Sequence, residues 1–441
     1  MLCDFHLDGD RFRCSVCGFR TPIWHAEPPI RQCGGDTYQT HRMPERRPGH
    51  SYLECEHRGK QVSKHTTGSG CSKRRMTVHR CSKFNKLVTL RPSRELQTRL
   101  GDYDGTNCLL CPHLPARVEA KDETTTVDRF DVAGHLASIP YHFVRKDIAA
   151  VTSHFNPQAS QRRVQCARQF MRQFPRIGMN LFTIEGSLSD VWNIPAGKTA
   201  YRVKLDAAAA MFHKEALLNV AVSMLPDRYT RVIWIDSDVI LLAEDYADRL
   251  ASALDIHQVV QGFSELRYLG PTNQTQTGWR SGVGYRNEQL GTRDANPAQA
   301  YPGLAWATDR ELFEHVGGLY DRCITGGGDV AWSAAVYGRT DMAYLRHWSD
   351  ALACDVESYI RRVSKHVASV GHVESRGVHL YHGNLKNRQY VERNRALCIH
   401  QFDPQRDLCY SQNGTLRWSD QVSPALIKAV RDYIYGRKED D

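Results

Sequence analysis

The chain has 441 residues, 41% hydrophobic and 24% charged, with a formal net charge of +9. That is long and apolar enough for a real core in two folded units. No apolar run approaches the length of a membrane-spanning helix, and the opening MLCDFHLDGDRFRCSVCGF lacks the apolar segment of a secretory signal, so a cytoplasmic protein is expected.

Residues 1–113 are poor in aliphatic runs and rich in Cys, His, Gly and Arg. Nine of the fourteen cysteines fall here: Cys3, Cys14, Cys17, Cys33, Cys55, Cys71, Cys81, Cys108 and Cys111. In a reducing compartment that concentration points to metal rather than disulfides. Cys14-x-x-Cys17 with Gly18 behind it, and Cys108-x-x-Cys111, have the spacing of zinc knuckles. Cys3, His6 and Cys33 compete for the open positions of the first knuckle, and Cys55, His57, Cys71 and Cys81 for those of the second. One Zn²⁺ per knuckle in a zinc-ribbon-like module is expected. Residues 1–120 also carry +8 of the net +9. A polyanionic partner suits such a module, whether nucleic acid, an acidic glycan or a phosphorylated carrier.

Residues 114–145 read as a polar connector. From 146 to about 400 the texture becomes α/β. A buried strand IAAVTSHF (148–155) leads to a helical stretch over 160–174 with Ser160 at its N-cap. A strand MNLFTIEG (179–186) leads to a helix over 207–225 stopped by Pro226. The strand RVIWIDSDVIL (231–241) precedes the helix EDYADRLASAL, and QVVQGFSEL (258–266) is a further strand. This alternation predicts a mostly parallel sheet with helices on both faces and ligands at the carboxyl ends of its strands. The Gly-rich, polar stretch 270–300 reads as a mobile lid or acceptor loop. Residues 401–441 read as a helical extension.

Three segments carry candidate chemistry. Asp236-Ser237-Asp238 interrupts an apolar strand with two carboxylates that share one side of an extended segment, an arrangement suited to Mg²⁺ or Mn²⁺ with substrate phosphate. A helix DRELFEHV ending at Gly317-Gly318 precedes Gly326-Gly327-Gly328-Asp329. There glycines permit close backbone approach, and a helix N-terminus favours a carboxylate able to serve as general base. His379 and His382, in HLYH at a strand end, are spaced to hold one cation, and Lys386 follows within reach of a phosphate.

In the same order and with comparable gaps, FHKEALLNV (212–220), DSD (236–238), TGGGD (325–329) and HLYH (379–382) resemble the motifs of a GT-A-fold glycosyltransferase. The resemblance covers about 147–395 and is nearest the β-1,4-galactosyltransferase family. It implies an α/β, Rossmann-like nucleotide-diphospho-sugar transferase fold that moves a hexose from a UDP-sugar to a hydroxyl acceptor. Asp238 would be the direct metal ligand and Asp236 a supporting one near the ribose, with His379 and His382 completing the site. Asp329 would deprotonate the acceptor and give inversion. Phe155, Asn156, Arg162, Phe212, Lys214, Gly303 and Lys386 would meet the nucleotide sugar. Thr325 stands where the family has tryptophan, Gly328 where it has glutamate, and His213-Lys214 where it has an asparagine–arginine pair. The family's luminal anchor has no counterpart, so a bacterial or viral relative is expected. A nucleotidyltransferase on the same kind of sheet, or a zinc-dependent nucleic-acid-binding protein with a degenerate transferase domain, are the competing readings.

Overall fold

The computed structural model describes residues 128–293, 300–341, 348–390 and 392–441, together with the strand backbones lying between residues 5 and 88. The chain divides into two compact units, Met1–Thr125 and Thr126–Asp441. In the first, β1 (Phe5–Asp8) pairs antiparallel with β2 (Arg11–Cys14), and β3 (Ile30–Arg31) with β4 (Tyr38–Gln39). A three-stranded antiparallel sheet joins β5 (Arg58–Thr67), β6 (Arg74–Cys81) and β7 (Lys86–Val88). The side chains of Cys3, Cys14, Cys17, Cys33, Cys55, Cys71, Cys81, Cys108 and Cys111, and with them the expected zinc sites, lie outside the described residues.

The second unit is built on a seven-stranded sheet. Its strands are β8 (Ile148–Phe155), β9 (Asn180–Ser187), β10 (Ala200–Lys204), β11 (Arg231–Ile235), β13 (Val259–Gln261), β16 (Ala305–Asp309) and β17 (Val370–His372), in the order β10-β9-β8-β11-β16-β13-β17. Four neighbouring pairs are parallel, and β16 alone runs against both of its neighbours. The α/β class and the mostly parallel sheet expected from the sequence are therefore present. Successive residues of one strand feed opposite layers. Val232 and Trp234 join one apolar cluster, while Ile233 and Ile235 join the other. A sheet covered on both faces needs unbroken apolar strands, which is why β8 and β11 read as continuous runs rather than alternating ones.

Helices Lys214–Ser223, Gly328–Tyr337, Asp350–Ser364 and Pro424–Tyr435 supply one layer, and Tyr246–Ile256 belongs to the other. Helix Gln161–Met171 starts where expected, with the Ser160 hydroxyl accepting from the Arg163 N–H. A second sheet, of order β12-β18-β14-β15, joins β12 (Val239–Leu241), β18 (Arg376–His379), β14 (Glu265–Tyr268) and β15 (Arg280–Ser281).

Four expectations are corrected. The strand expected over 231–241 is two strands in two sheets, divided at Asp236–Asp238. Likewise 258–266 divides at Gly262, passing from β13 to β14. The helix expected from residue 207 begins only at Lys214. The alanine run before it is divided between an exposed turn at Ala207-Ala208, where Asp206 accepts the Ala208 N–H, and the buried pair Ala209-Ala210, where the His213 ring meets the Ala209 carbonyl at 2.8 Å. Tertiary burial overrides the helix propensity of alanine. Finally, 270–300 is not simply a loop. It holds β15 and helix Val283–Leu290, anchored where the Gln261 side chain accepts the Gly284 N–H at 2.8 Å, while 294–299 lie outside the described residues.

Gly262 sits at the second sheet-to-sheet crossing, and a Cβ there would stand 2.6 Å from the Ala305 Cβ and 2.9 Å from the Tyr246 hydroxyl. Gly262→Ala is expected to cost about 1–3 kcal/mol through overpacking, read as a lowered midpoint in denaturant unfolding.

Candidate active site

Strand β11 ends at Ile235, and the chain crosses to the second sheet through Asp236-Ser237-Asp238. The crossing is held by backbone bonds on both sides. The Asp236 N–H donates to the Leu304 carbonyl, and the Asp238 carbonyl accepts from the Leu380 N–H, both at 2.8 Å. Leu304 has φ +79°, a left-handed conformation rare for a branched side chain, which aims its carbonyl at the crossing.

The antiparallel register of β12 on β18 sets Val239 opposite His379, so the end of β18 delivers its imidazole beside Asp238. Three residues on, His382 arrives from the turn. His379 Nε2 lies 3.4 Å from one Asp238 oxygen and His382 Nε2 lies 2.8 Å from the other. The two rings are stacked at 5.3 Å, with Tyr268 stacked on the far side of His379 at 4.2 Å. Burial pushes both imidazoles down, His379 to about 3, so both are neutral at neutral pH. Burial works to raise Asp238, yet the neighbouring His379, His382 and Arg388 hold its carboxyl well below the usual range.

Asp238, His379 and His382 offer one carboxylate and two imidazole donors within 4.8 Å of one another, the one such group among the described residues. One Asp238 oxygen is buried without a hydrogen-bond partner, and both histidines present Nε2 to that carboxylate. An unpartnered buried carboxylate oxygen faced by two neutral rings fits a divalent cation. Imidazole donors suit Mn²⁺ better than Mg²⁺, which favours all-oxygen surroundings.

Asp236, expected as a second metal ligand, is not part of that group. Its carboxylate is 2.7 Å from the Lys214 ammonium, which sits equally close, at 2.7 Å, to Asp329. Lys214 opens its helix and Asp329 lies in the first turn of helix Gly328–Tyr337, so two helix N-termini converge on the strand tip. Burial, offset in part by Lys214, pushes Asp236 up to about 7. Gly303 stands directly against Asp329, where a Cβ would come within 2.3 Å of the carboxylate carbon. Gly326 and Gly327, at φ +92° and +120°, turn the chain into the helix.

The other residues expected to meet a nucleotide sugar have the following surroundings. Phe155 is buried with its ring edge-on to His213, and Phe212 is partly buried against the same core. The Asn156 side chain accepts the Ser160 N–H and donates to Asn193, so it builds the loop after β8. Arg162 lies over the Tyr381 ring, and Lys386 is exposed. Thr325, at the position of the family's tryptophan, is buried with its hydroxyl on Asn394 at 2.9 Å.

Three residues were missed in the sequence. Arg388, not Lys386, reaches the histidines, with a guanidinium nitrogen 2.8 Å from His382 Nε2. Glu439 comes within 3.9 Å of His382 Nδ1. Glu215 is 3% exposed and packs under Gly328, whose Cβ would meet the Glu215 carboxyl carbon at 2.4 Å. Its signal was a lone acidic residue in a helix otherwise built of buried apolar side chains; the other two left none.

No family model matches the chain, and no curated protein matches it. Among solved structures, it is similar to the catalytic domain of Drosophila β1,4-galactosyltransferase 7 in complex with xylobiose, at 12% identity over 62% of this chain and 94% of that one, with a TM-score of 0.28. A mutant of the same enzyme in complex with manganese, UDP-Gal and xylobiose matches at 11% identity over 51% and 64%, with a TM-score of 0.25. Rv0371c from Mycobacterium tuberculosis H37Rv matches at 14% over 39% and 76%, with a TM-score of 0.23. Among the described residues, no helix is long and apolar enough to cross a membrane.

Burial is the main cause that pushes Glu215 up to about 8. With its folded value above the ordinary 4.5, the folded chain holds a proton that the unfolded chain releases, so stability falls as pH rises from about 4.5 to about 8. Glu215→Gln is expected to flatten that fall and to unfold at a higher temperature than the native chain at pH 8, as measured by thermal unfolding across the pH range.

Proposed function

We propose that the chain is a metal-dependent glycosyltransferase of the GT-A type that moves a hexose from a uridine diphosphate sugar to a hydroxyl acceptor with inversion. One observation carries the reading. At a single strand tip, a carboxylate with two neutral imidazoles lies beside a second carboxylate that shares one ammonium with a helix-start aspartate.

Asp238, His379 and His382 would hold the cation, and their imidazole donors favour Mn²⁺ over Mg²⁺. When bound, the cation neutralises charge on a diphosphate leaving group. Lys214 fixes the geometry of the opposite side. Its ammonium clamps Asp236 and Asp329 at equal distance, so the Asp329 carboxylate cannot swing away from the tip. Asp329 is about one-third exposed, the most open of these carboxylates, and is the group an incoming hydroxyl can meet. In the transfer, the acceptor oxygen forms a bond to the anomeric carbon as that carbon's bond to the diphosphate breaks. The hydroxyl proton passes to Asp329. Because the acceptor oxygen attacks the face opposite the departing diphosphate in a single displacement, the anomeric configuration inverts. Phe155, Asn156, Arg162, Phe212 and Gly303 shape the donor pocket in this reading, with galactose the sugar suggested by the motif resemblance.

Incubating the chain with UDP-galactose and Mn²⁺ is expected to release UDP and no pyrophosphate, which also separates this reading from a nucleotidyltransferase. Asp238→Ala is expected to remove at least 100-fold of that turnover and to abolish its Mn²⁺ dependence, whereas Asp329→Asn lowers turnover with little change in Mn²⁺ affinity. Mg²⁺ is expected to support less turnover than Mn²⁺. Full turnover by Asp238→Ala would sink the proposal.

A further inference from the structure

Segment 437–441 folds back onto the histidine turn and onto the start of helix Gln161–Met171. The Asp440 carboxylate accepts from the Ser160 hydroxyl at 2.7 Å and from the Arg162 N–H at 2.9 Å, and the Tyr381 hydroxyl donates to the Asp441 carbonyl at 2.6 Å. Gly383 leaves no room between the two chain segments. A Cβ there would stand 2.9 Å from the Glu439 Cα and from the Lys438 carbonyl. The segment is thus fastened at both ends of the short turn that carries His382.

Between these anchors Glu439 is driven inward and is 5% exposed. It bridges two guanidiniums, Arg163 at 3.0 Å and Arg437 at 2.9 Å, each with little exposure of its own. Its carboxylate also lies 3.9 Å from His382 Nδ1, the ring nitrogen that faces away from Asp238 and has no hydrogen-bond partner. That separation is an electrostatic contact and not a hydrogen bond. Around the imidazole pair three guanidiniums gather, those of Arg388, Arg163 and Arg437, and Glu439 is the carboxylate set among the last two.

We infer that segment 437–441 is a positioning strap, and that through Glu439 it makes the His382 side of the site hospitable to a divalent cation. The inference rests on the cation-site reading proposed above. Glu439 acts from behind the ring. It neutralises the two guanidiniums that would repel a cation at Asp238 and places negative charge on the outer nitrogen of a metal-ligating histidine. Carboxylates hydrogen-bonded behind ligating histidines typically strengthen metal binding 10–100-fold, and Glu439, at 3.9 Å, supplies the charge of such a partner without the hydrogen bond. Glu439 touches neither substrate nor metal, so it is a positioning residue.

The test is a titration of the full chain with Mn²⁺ alone, followed by isothermal calorimetry and by the loss of the free-ion electron paramagnetic resonance signal. Glu439→Gln, nearly isosteric, is expected to raise the Kd for Mn²⁺ about 10-fold or more. Arg437→Gln has the opposite expectation. It leaves Glu439 paired with Arg163 only, increases the negative field at the ring, and lowers the Kd. A residue with a merely structural role would weaken binding in both variants or in neither, and either result overturns the inference. Should Glu439→Gln fail to fold, the direction of the Arg437→Gln change decides by itself. A native chain that binds no Mn²⁺ overturns the cation site together with the strap. A native chain whose binding is lost in Asp238→Ala but unaltered in Glu439→Gln overturns the strap alone.

Discussion

The run Val232–Leu241 belongs to two sheets at once, and the rest of the site depends on that shared run. Val232–Ile235 are buried between two helical layers, and Val239–Leu241 are buried in the second sheet. Neither half can present a polar side chain without leaving it unsatisfied. Only the three residues at the crossing escape, because there the chain passes from one sheet to the other. Two contributors to the site are brought to the crossing by backbone contact with the run itself. Strand β18 arrives by pairing with β12, and the Gly303-Leu304 corner arrives by receiving the Asp236 N–H.

The two carboxylates of the crossing then serve opposite electrostatic surroundings. Asp238 lies among nitrogen donors, two neutral imidazoles and a guanidinium, and its charge is welcome there. Asp236 lies in an acid-rich quarter where one ammonium answers for Asp236 and Asp329, with Glu215 buried nearby. A buried cluster of this kind contributes little net stability, since desolvation offsets most of the Coulomb attraction. Its effect is orientation. With Lys214 fixed at the start of its helix, the distance between the strand tip and the helix-start aspartate is set by one side chain gripping both.

What the sequence disclosed follows the range of the interaction responsible. The apolar runs at 148–155 and 231–235 were readable because burial on both faces writes itself into every consecutive residue. Ser160 was readable because a helix cap is made with the residue three positions on. The histidine pair was readable from its spacing alone. By contrast, the late helix start at Lys214 depends on a turn and on the burial of Ala209 and Ala210, which alanine propensity does not announce. Helix Val283–Leu290 is pinned by Gln261, and Glu439 meets Arg163 across 276 positions. No local pattern encodes such meetings. The division of 231–241 between two sheets was hidden for a related reason, since both halves are equally apolar.

Residue 328 shows how a departure from the resembled motif is tied to a buried neighbour. The motif resemblance places a glutamate there, and this chain has glycine. The space that any side chain at 328 would enter is filled by the Glu215 carboxyl, whose oxygen and carbon both lie 2.4 Å from where a Cβ would stand. Glycine at 328 is therefore a requirement of Glu215, and neither position can be altered without regard to the other. The carboxyl missing from the loop is present in the same volume, supplied from the helix that also carries Lys214. A carboxyl absent from one element and supplied by its neighbour keeps that side of the strand tip rich in carboxyl groups, although a motif read position by position records only the loss.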